Sequence, residues 1–327
     1  MSAFAKASAD RSTFAKSSIY ALFALFLFFC GCGRSTVTTT TTTTIPASTC
    51  AVGAFVNGMD NITSFQTTIG KKLAVVLWYV HWQSEFPSSE ADTVAANGSV
   101  PLITWEPRIT HSLGTLEAIA SGSYESYVRG FIQAAKNWGK PILLRFGHEM
   151  NGNWYPWDGF NNGAASGPEK YKRAWIYIYN VREELKADNI SLVWCVNNTN
   201  LPVTSWNTIE AYYPGDQYVD WVGMDGYNWG DSRWQSFDAV FAEVYAKLTA
   251  LTSKPLLIGE FASSDQGGNK VGWITDAFAK IESDYPKVKL FCWFNINKER
   301  DWRVESSSSA EAAVKNALQD GYFSSKM

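Results

Sequence analysis

Eight short apolar runs, separated by longer stretches with helical periodicity, constrain the fold of this chain more than any other feature. The runs are Ala51–Val56, Leu73–Val80, Val100–Trp105, Pro141–Phe146, Ile190–Val196, Val219–Asp225, Pro255–Glu260 and Lys289–Asn295. Each is almost continuously apolar, as a strand must be when both of its faces are covered, whereas a half-exposed strand alternates polar and apolar residues. The pattern therefore predicts parallel strands that are buried on both sides.

Helices are predicted between these runs. Apolar residues recur at helical spacing after Gly122, in Phe237–Leu251 and in Ile274–Tyr285, and a further helix is expected between Pro168 and Asn189. Eight strand–helix units in about 275 residues match the size of a (β/α)8 barrel. An open doubly wound sheet would normally carry a glycine-rich phosphate loop after its first strand, and this chain has no such motif there. We predict an α/β fold, a single (β/α)8 TIM barrel catalytic domain over 50–327.

The first 33 residues have the composition of a secretory signal. An apolar run, Ile19–Phe29, is too short to cross a bilayer as a helix, and small residues follow it. Three basic residues precede the run: Lys6, Arg11 and Lys16. We therefore assign 1–33 to an export signal.

A threonine-rich segment over 34–49 follows and is predicted to be a linker, because it has too few apolar residues to build a core. Cys32, directly after Gly31, weakly resembles the lipid-modified cysteine of bacterial lipoproteins. The protein is expected to be secreted or tethered to the cell surface, and a lipid on Cys32 would be its one link to a membrane.

Composition excludes several classes of protein. The formal net charge is −3, whereas a protein that binds nucleic acid usually has a basic excess. The three histidines and five cysteines are too few for a Cys/His zinc site or a disulfide scaffold. We expect no cofactor, no metal and no nucleic-acid partner, and a monomeric protein.

Nearly every predicted strand ends in an aromatic residue beside a polar one. Examples are Trp78–Trp82, Trp105-Glu106, Trp194–Asn198, Asp225–Trp229 and Trp293–Asn295. The active site of a (β/α)8 barrel lies at these carboxyl ends of the strands. Aromatic rings stack on the apolar faces of sugars, and amides and carboxylates bind sugar hydroxyls. The pattern therefore favours a polysaccharide as the substrate.

Two carboxylates stand at strand ends that can face each other across the barrel mouth. Glu149 follows the fourth run and Glu260 ends the seventh. Retaining glycoside hydrolysis needs two carboxyl groups about 5–5.5 Å apart, one protonated and one ionised. A single glutamate at a strand end is more often part of a structural ion pair, but two on these strands favour catalysis. Arg145 is expected to orient carboxylates inside the barrel and not to contact sugar.

The segment Arg145–Trp157, RFGHEMNGNWYPW, resembles the signature of glycoside hydrolase family 26, and Ile258–Phe261 and Val222–Tyr227 resemble two further segments of that family. The resemblance covers roughly residues 50–325. It implies a double displacement with Glu149 as acid/base and Glu260 as nucleophile. The residues expected to bind substrate are His148 beside the acid/base, Tyr227 near the nucleophile, Trp154 and Trp293 as sugar platforms, and Asn151, Trp105 and Asp225.

The family includes β-mannanases, mixed-linkage β-1,3-1,4-glucanases and β-1,3-xylanases, and two segments bear on the choice between them. Trp154–Trp157 departs from the Trp-Phe-Trp-Trp type of segment that mannanases tend to carry, and the run WFNINKERDWR from Trp293 looks more like the glucanases. We predict a retaining endo-β-glycosidase that acts on β-1,3-1,4-glucan. The alternatives are an endo-β-1,4-mannanase, and a catalytically silent carbohydrate-binding protein on the same barrel.

Overall fold

Eight parallel strands close into a barrel in the computed structural model, which describes residues 49–108 and 115–327. The strands are β1 Cys50–Phe55, β2 Val75–His81, β3 Val100–Glu106, β4 Ile142–Phe146, β5 Ile190–Asn197, β6 Trp221–Asn228, β7 Leu256–Ser263 and β8 Val288–Phe294. The barrel is closed because β1 pairs in parallel with both β2 and β8. All eight predicted strands are confirmed. A two-residue strand that the sequence did not predict, β9 Phe323–Ser324, adds to β1.

Helices connect the strands on the outside of the barrel. Within the described ranges they are α1 Ile62–Ile69, α2 Ser88–Ala96, α3 Thr115–Ala120, α4 Glu125–Trp138, α5 Gly167–Leu185, α6 Ile209–Tyr212, α7 Phe237–Leu251, α8 Lys270–Ser283 and α9 Ser308–Ala317. The four helices expected from sequence correspond to α4, α5, α7 and α8. Side chains of Ser236, Asn269 and Ser307 cap α7, α8 and α9 by accepting a backbone N–H bond.

Strand side chains alternate between two apolar cores. One set fills the barrel and includes Ala51, Val75, Leu77, Leu102, Leu143, Val193, Cys195, Leu257, Leu290 and Cys292. The neighbouring residues along each strand point outward and pack against the helices, where they form the larger core. This alternation decides which side chains at a strand end can reach the barrel mouth.

The predicted export signal, Cys32 and the linker up to Ser48 lie outside the described residues. Within residues 49–108 and 115–327, no helix is both long and apolar enough to cross a membrane. The three cysteines in this part of the chain, Cys50, Cys195 and Cys292, are buried and unbridged.

Candidate active site

A cleft of about 580 Å³ opens at the carboxyl ends of the strands and contains both candidate carboxylates. Its lining combines aromatic rings with charged groups: Phe55, Tyr79, His81, Glu106, Arg108, Glu149, Trp154, Tyr155, Tyr227, Trp229, Glu260, Phe294, Ile296, Lys298, Glu299 and Trp302. The two glutamates are nearly buried, at 6% exposure each. The cleft therefore offers ring faces for stacking around two desolvated carboxyl groups.

A bulge in β7 turns Glu260 into the barrel. Met224 pairs with Ile258, but the next residue of β6, Asp225, pairs with Glu260, so β7 contains one extra residue, Gly259. Without the bulge, alternation from the inward-facing Leu257 would send Glu260 toward the helices. A Cβ atom at Gly259 would lie 2.5 Å from an oxygen of Asp225, so the bulge requires glycine.

Glu260 is held by donors on both carboxylate oxygens. Arg145 Nη2 donates to Oε1 at 2.5 Å and the Tyr227 hydroxyl donates to Oε2 at 2.5 Å. Burial alone raises the pKa of Glu260, but the charge of Arg145 and the hydrogen bonds from Tyr227 and Tyr79 outweigh it and lower the pKa to about 2. Glu260 is therefore ionised at neutral pH.

Glu149 lies in a tight turn after β4, and its backbone is left-handed, with φ of 54°. Such a conformation is uncommon for a residue other than glycine and persists where surrounding contacts hold it. The Glu149 N–H donates to the Cys195 carbonyl at 2.9 Å, which holds the turn against β5. The turn thus directs the carboxyl group into the cleft.

Glu149 has the opposite protonation preference to Glu260. Asn197 Nδ2 donates to its Oε1 at 2.7 Å, and Trp154 Nε1 donates to its Oε2 at 2.9 Å. These bonds lower the pKa, but burial, and after it the negative charge of Glu260, raise it to about 7. The cleft therefore holds one ionised carboxylate and one carboxyl that keeps its proton near neutral pH.

Arg145 is fully buried beneath the cleft and binds both oxygens of Asp225, at 3.0 and 2.9 Å, as well as Glu260. Its Nε donates to Thr104. Burial opposes the charge of Arg145, but the carboxylates beside it raise its pKa well above the usual value. The expectation that Arg145 orients carboxylates is confirmed. Asp225 has no exposed surface, so it serves Arg145 and does not face the cleft as a sugar ligand.

One group in the described part of the chain has donor atoms close enough to hold a metal ion: His148, Asp225 and Glu260, within 4.8 Å of one another. Arg145 is already bound to both carboxylates of this group. Their negative charge is thereby balanced by a guanidinium inside the cluster. This arrangement fits a catalytic carboxylate on a rigid support better than a cation site.

A family model described as "Glycosyl hydrolase family 26" matches residues 109–318, which is more than half of the chain. The chain belongs to glycosyl hydrolase family 26. Endoglucanase H of Acetivibrio thermocellus is 40% identical to it over 280 residues, which are 83% of this chain and 30% of that protein. A mannan endo-1,4-beta-mannosidase of Bacillus subtilis (strain 168) is 28% identical over 201 residues, which are 61% of this chain and 50% of that protein.

This family 26 chain thus spans half or less of the length of those two curated relatives. Among solved structures, the Bacillus subtilis mannanase man26 superposes with a TM-score of 0.64 at 20% identity, over 85% of this chain and 87% of that one. At that identity the likeness establishes the shared (β/α)8 barrel and nothing about the substrate.

His148 and Asn151, both in the family signature, are fully buried and do not line the cleft. His148 Nε2 lies 3.8 Å from Glu260 Oε1, and burial, together with Arg145, lowers the pKa of His148 to about 3, so the ring is neutral. Asn151 Oδ1 accepts the Asn197 N–H at 2.8 Å and its Nδ2 donates to the Asn197 carbonyl. His148 lies beside the candidate nucleophile, Asn151 holds the backbone of Asn197, and neither residue is open to a sugar.

Trp105 and Trp293 also lie away from the cleft, although both were expected to bind substrate. Trp105 is fully buried and stacks on Phe131 of α4, with ring centroids 4.3 Å apart. Trp293 is 2% exposed and its Nε1 donates to the Trp302 carbonyl. The physical reason is strand alternation: both residues belong to the outward-facing set, so their rings complete the core under the helices. Trp154 and Tyr227, in contrast, lie in the cleft as expected.

Sequence reasoning missed several cleft residues that the barrel brings together. Tyr79 and Asn197 each contact a candidate catalytic carboxylate. Phe294 and Glu106 line the cleft, and each directly follows in the chain one of the two buried residues Trp293 and Trp105. His81 Nδ1 lies 3.3 Å from Glu106 Oε2. A signal for these residues was present in the alternation along each strand. Asn197, for example, shares its inward face with Val193 and Cys195.

Proposed function

We propose that this chain is a retaining endo-β-glycosidase and that its substrate is β-1,3-1,4-glucan. The observation that carries the proposal is the pair of glutamates with opposite protonation preferences in one aromatic cleft. Glu149 has a pKa raised to about 7 and Glu260 one lowered to about 2. Retaining hydrolysis needs one protonated and one ionised carboxyl group, in these roles, on either side of the glycosidic bond.

The reaction then proceeds in two displacements. Glu260 attacks the anomeric carbon while Glu149 donates its proton to the departing glycosidic oxygen, which leaves a glycosyl ester on Glu260. Glu149, now ionised, takes a proton from water, and that water displaces Glu260 and releases the sugar. Arg145 and Tyr227 stabilise the free carboxylate of Glu260 before attack and after release.

The choice of glucan rests on sequence similarity to a protein named as an endoglucanase and on the strand-eight segment. Identity to Endoglucanase H is 40%, against 28% to the Bacillus mannosidase. The run WFNINKERDWR from Trp293 looks more like the glucanases, and Trp154–Trp157 departs at Tyr155 and Pro156 from the Trp-Phe-Trp-Trp type of segment that mannanases tend to carry. Mannan is the second candidate, because this chain is similar in sequence to the mannosidase and shares its barrel with the mannanase man26.

A hydrolysis panel tests the proposal. Wild type and Glu260→Ala are incubated with barley β-glucan, galactomannan, glucomannan and β-1,3-xylan, and the products are resolved by chromatography. We expect internal cleavage of barley β-glucan by wild type alone. Faster cleavage of galactomannan would replace glucan by mannan, and binding without turnover on every polymer would favour a silent carbohydrate-binding protein.

We also propose that the protein is exported and reaches the outside of the cell as a monomer, either free or lipid-anchored at Cys32. The support is the basic and apolar pattern of residues 1–33. Metabolic labelling with a fatty-acid probe distinguishes the two forms: a lipidated protein incorporates label and Cys32→Ser does not. Protein that stays inside the cell would refute export.

A further inference from the structure

Trp154 is placed between the solvent and the candidate acid/base. Its Nε1 donates to Glu149 Oε2 at 2.9 Å, while the residue as a whole is 39% exposed, and Glu149 itself is 6% exposed. Trp154 therefore contacts the cleft with its ring and Glu149 with its indole N–H. The ring face is open toward the cleft, and the indole N–H is committed to the carboxyl group.

The position of the indole depends on Gly152, two residues earlier. A Cβ atom at residue 152 would lie 2.6 to 2.7 Å from Cε2, Cζ2 and Cη2 of Trp154. Those atoms belong to a rigid ring, so a side chain at 152 would displace the whole indole and its N–H with it. The glycine therefore lets the ring pack directly on the backbone.

Both oxygens of Glu149 consequently have a donor on a rigid support. Asn197 holds Oε1 at 2.7 Å and is itself fixed by Asn151, while Trp154 holds Oε2. The left-handed backbone at Glu149 sets the direction of the side chain from the other end. An acid/base must hold its proton within hydrogen-bond reach of the glycosidic oxygen, so a fixed carboxyl plane has direct value for proton transfer.

We propose that Trp154 is a positioning residue for the acid/base, packed on Gly152 so that its indole N–H holds Glu149 Oε2. The inference rests on the proposed function and adds to it. Trp154 then has two separate roles. Its indole N–H positions Glu149, and its ring face is the sugar platform expected from the sequence. Loss of the N–H lowers the rate of proton transfer, whereas loss of the ring face weakens substrate binding.

The hydrogen bond also has a consequence for pH dependence. A donor stabilises an ionised carboxylate more than a protonated carboxyl group, so its removal favours the protonated form of Glu149. The alkaline limb of activity, where Glu149 loses its proton, then moves to higher pH. A residue that only stacks on sugar does not shift this limb.

Two variants test the inference. Trp154→Phe keeps a ring and removes the N–H, and Gly152→Ala keeps the N–H but displaces the ring. We expect kcat on barley β-glucan to fall about tenfold in both, the scale of one hydrogen bond to a charged group. The alkaline limb should move to higher pH, and an aryl glycoside with a good leaving group should show a smaller loss in its glycosylation rate.

Matched controls separate this effect from others. Trp229→Phe changes an aromatic residue that lines the same cleft and leaves the alkaline limb in place. Gly130→Ala adds a methyl group in α4 where nothing lies within 4 Å of the new atom, and it leaves activity unchanged. Thermal unfolding is measured for each variant. If either Trp154→Phe or Gly152→Ala has lost its fold, the other one tests the inference.

A rise in KM with an unchanged kcat and an unmoved alkaline limb in Trp154→Phe would overturn the inference and leave Trp154 as a sugar platform. The proposed function fails separately, if wild type cleaves no polysaccharide or if Glu149→Ala loses activity equally on all leaving groups. Wild-type turnover with an ordinary Glu149 dependence, and no effect of Trp154→Phe beyond KM, would refute only the role of Trp154.

Discussion

Glu149 and Glu260 are the same side chain with the same degree of burial, and their neighbours alone separate them. Desolvation raises the pKa of each. Glu260 has a guanidinium at 2.5 Å to compensate, whereas Glu149 has only the neutral donors Asn197 and Trp154 and feels the charge of Glu260. One positive charge, placed closer to one carboxylate than to the other, therefore gives the two carboxyl groups opposite protonation preferences.

The pH profile of kcat/KM should follow from these two groups. Activity requires protonated Glu149, so it should fall as the pH rises through about 7, and it requires ionised Glu260, so it should fall on the acid side only toward about 2. Initial rates on barley β-glucan across pH measure both limbs, with unfolding followed at the acid extreme. A pH of 8 is on the order of one unit above the expected pKa of Glu149. Activity that kept rising above that pH would contradict Glu149 as the proton donor.

Removal of the acid/base should depend on the leaving group. Glu149→Ala should lose on the order of 10²–10⁴-fold in rate on polysaccharide, and much less in the glycosylation of an aryl glycoside whose leaving group needs no proton. Azide should then restore turnover, with a product of retained configuration. Glu106→Gln is the control, because Glu106 lies in the same cleft but should show no such dependence. Equal losses on both substrates would mean that Glu149 is structural.

Strand alternation and one bulge govern which residues reach the cleft, and they mark the limit of what the sequence could predict. Continuous apolar runs located all eight strands, since burial on both faces leaves a strong pattern. Trp105 was expected to bind sugar because it ends a strand and Trp293 because of the family resemblance, but both occupy outward-facing positions. Counting alternate residues along each strand would have placed both tryptophans outside the cleft and Asn197 inside it.

Alternation alone would still have failed at Glu260, because the extra residue Gly259 reverses the face of the strand there. A bulge depends on pairing between neighbouring strands, and no local sequence pattern reveals that pairing. Glu260 was predicted to be the nucleophile because Ile258–Phe261 resembles the nucleophile segment of the family. Contacts between strands, such as that of Asn197 with Glu149, were beyond prediction for the same reason.

The ion pairs of Arg145 with Asp225 and Glu260 beneath the cleft should also stabilise the folded protein. Arg145→Met would leave Asp225 and Glu260 as buried carboxylates without their cation, which should cost about 3–5 kcal/mol in the free energy of unfolding. Arg145→Lys keeps the positive charge, so it should cost less than Arg145→Met, although lysine cannot bind both carboxylates and Thr104 at once. Urea unfolding at neutral pH measures both variants. An Arg145→Met variant as stable as wild type would contradict this role.

At the scale of the whole molecule, barrel closure brings together groups that are far apart in the chain. Glu149 lies in the turn after β4, Glu260 lies within β7, three residues before its end and not at its last residue as expected from the sequence, and Tyr79 comes from β2. The fold class was predictable because the repeated strand–helix pattern leaves few architectures for a chain of this length. The substrate is less predictable, because loop side chains around the mouth, and not the barrel, select the sugar.

The anomeric configuration of the first products tests the central claim most directly. Two displacements at the anomeric carbon, by Glu260 and then by water, restore the original configuration. Proton NMR during the first turnovers of barley β-glucan by wild type should therefore show the β-anomer before mutarotation produces the α-anomer. An α-anomer that appears first would contradict a nucleophilic Glu260 and would require a single displacement by water.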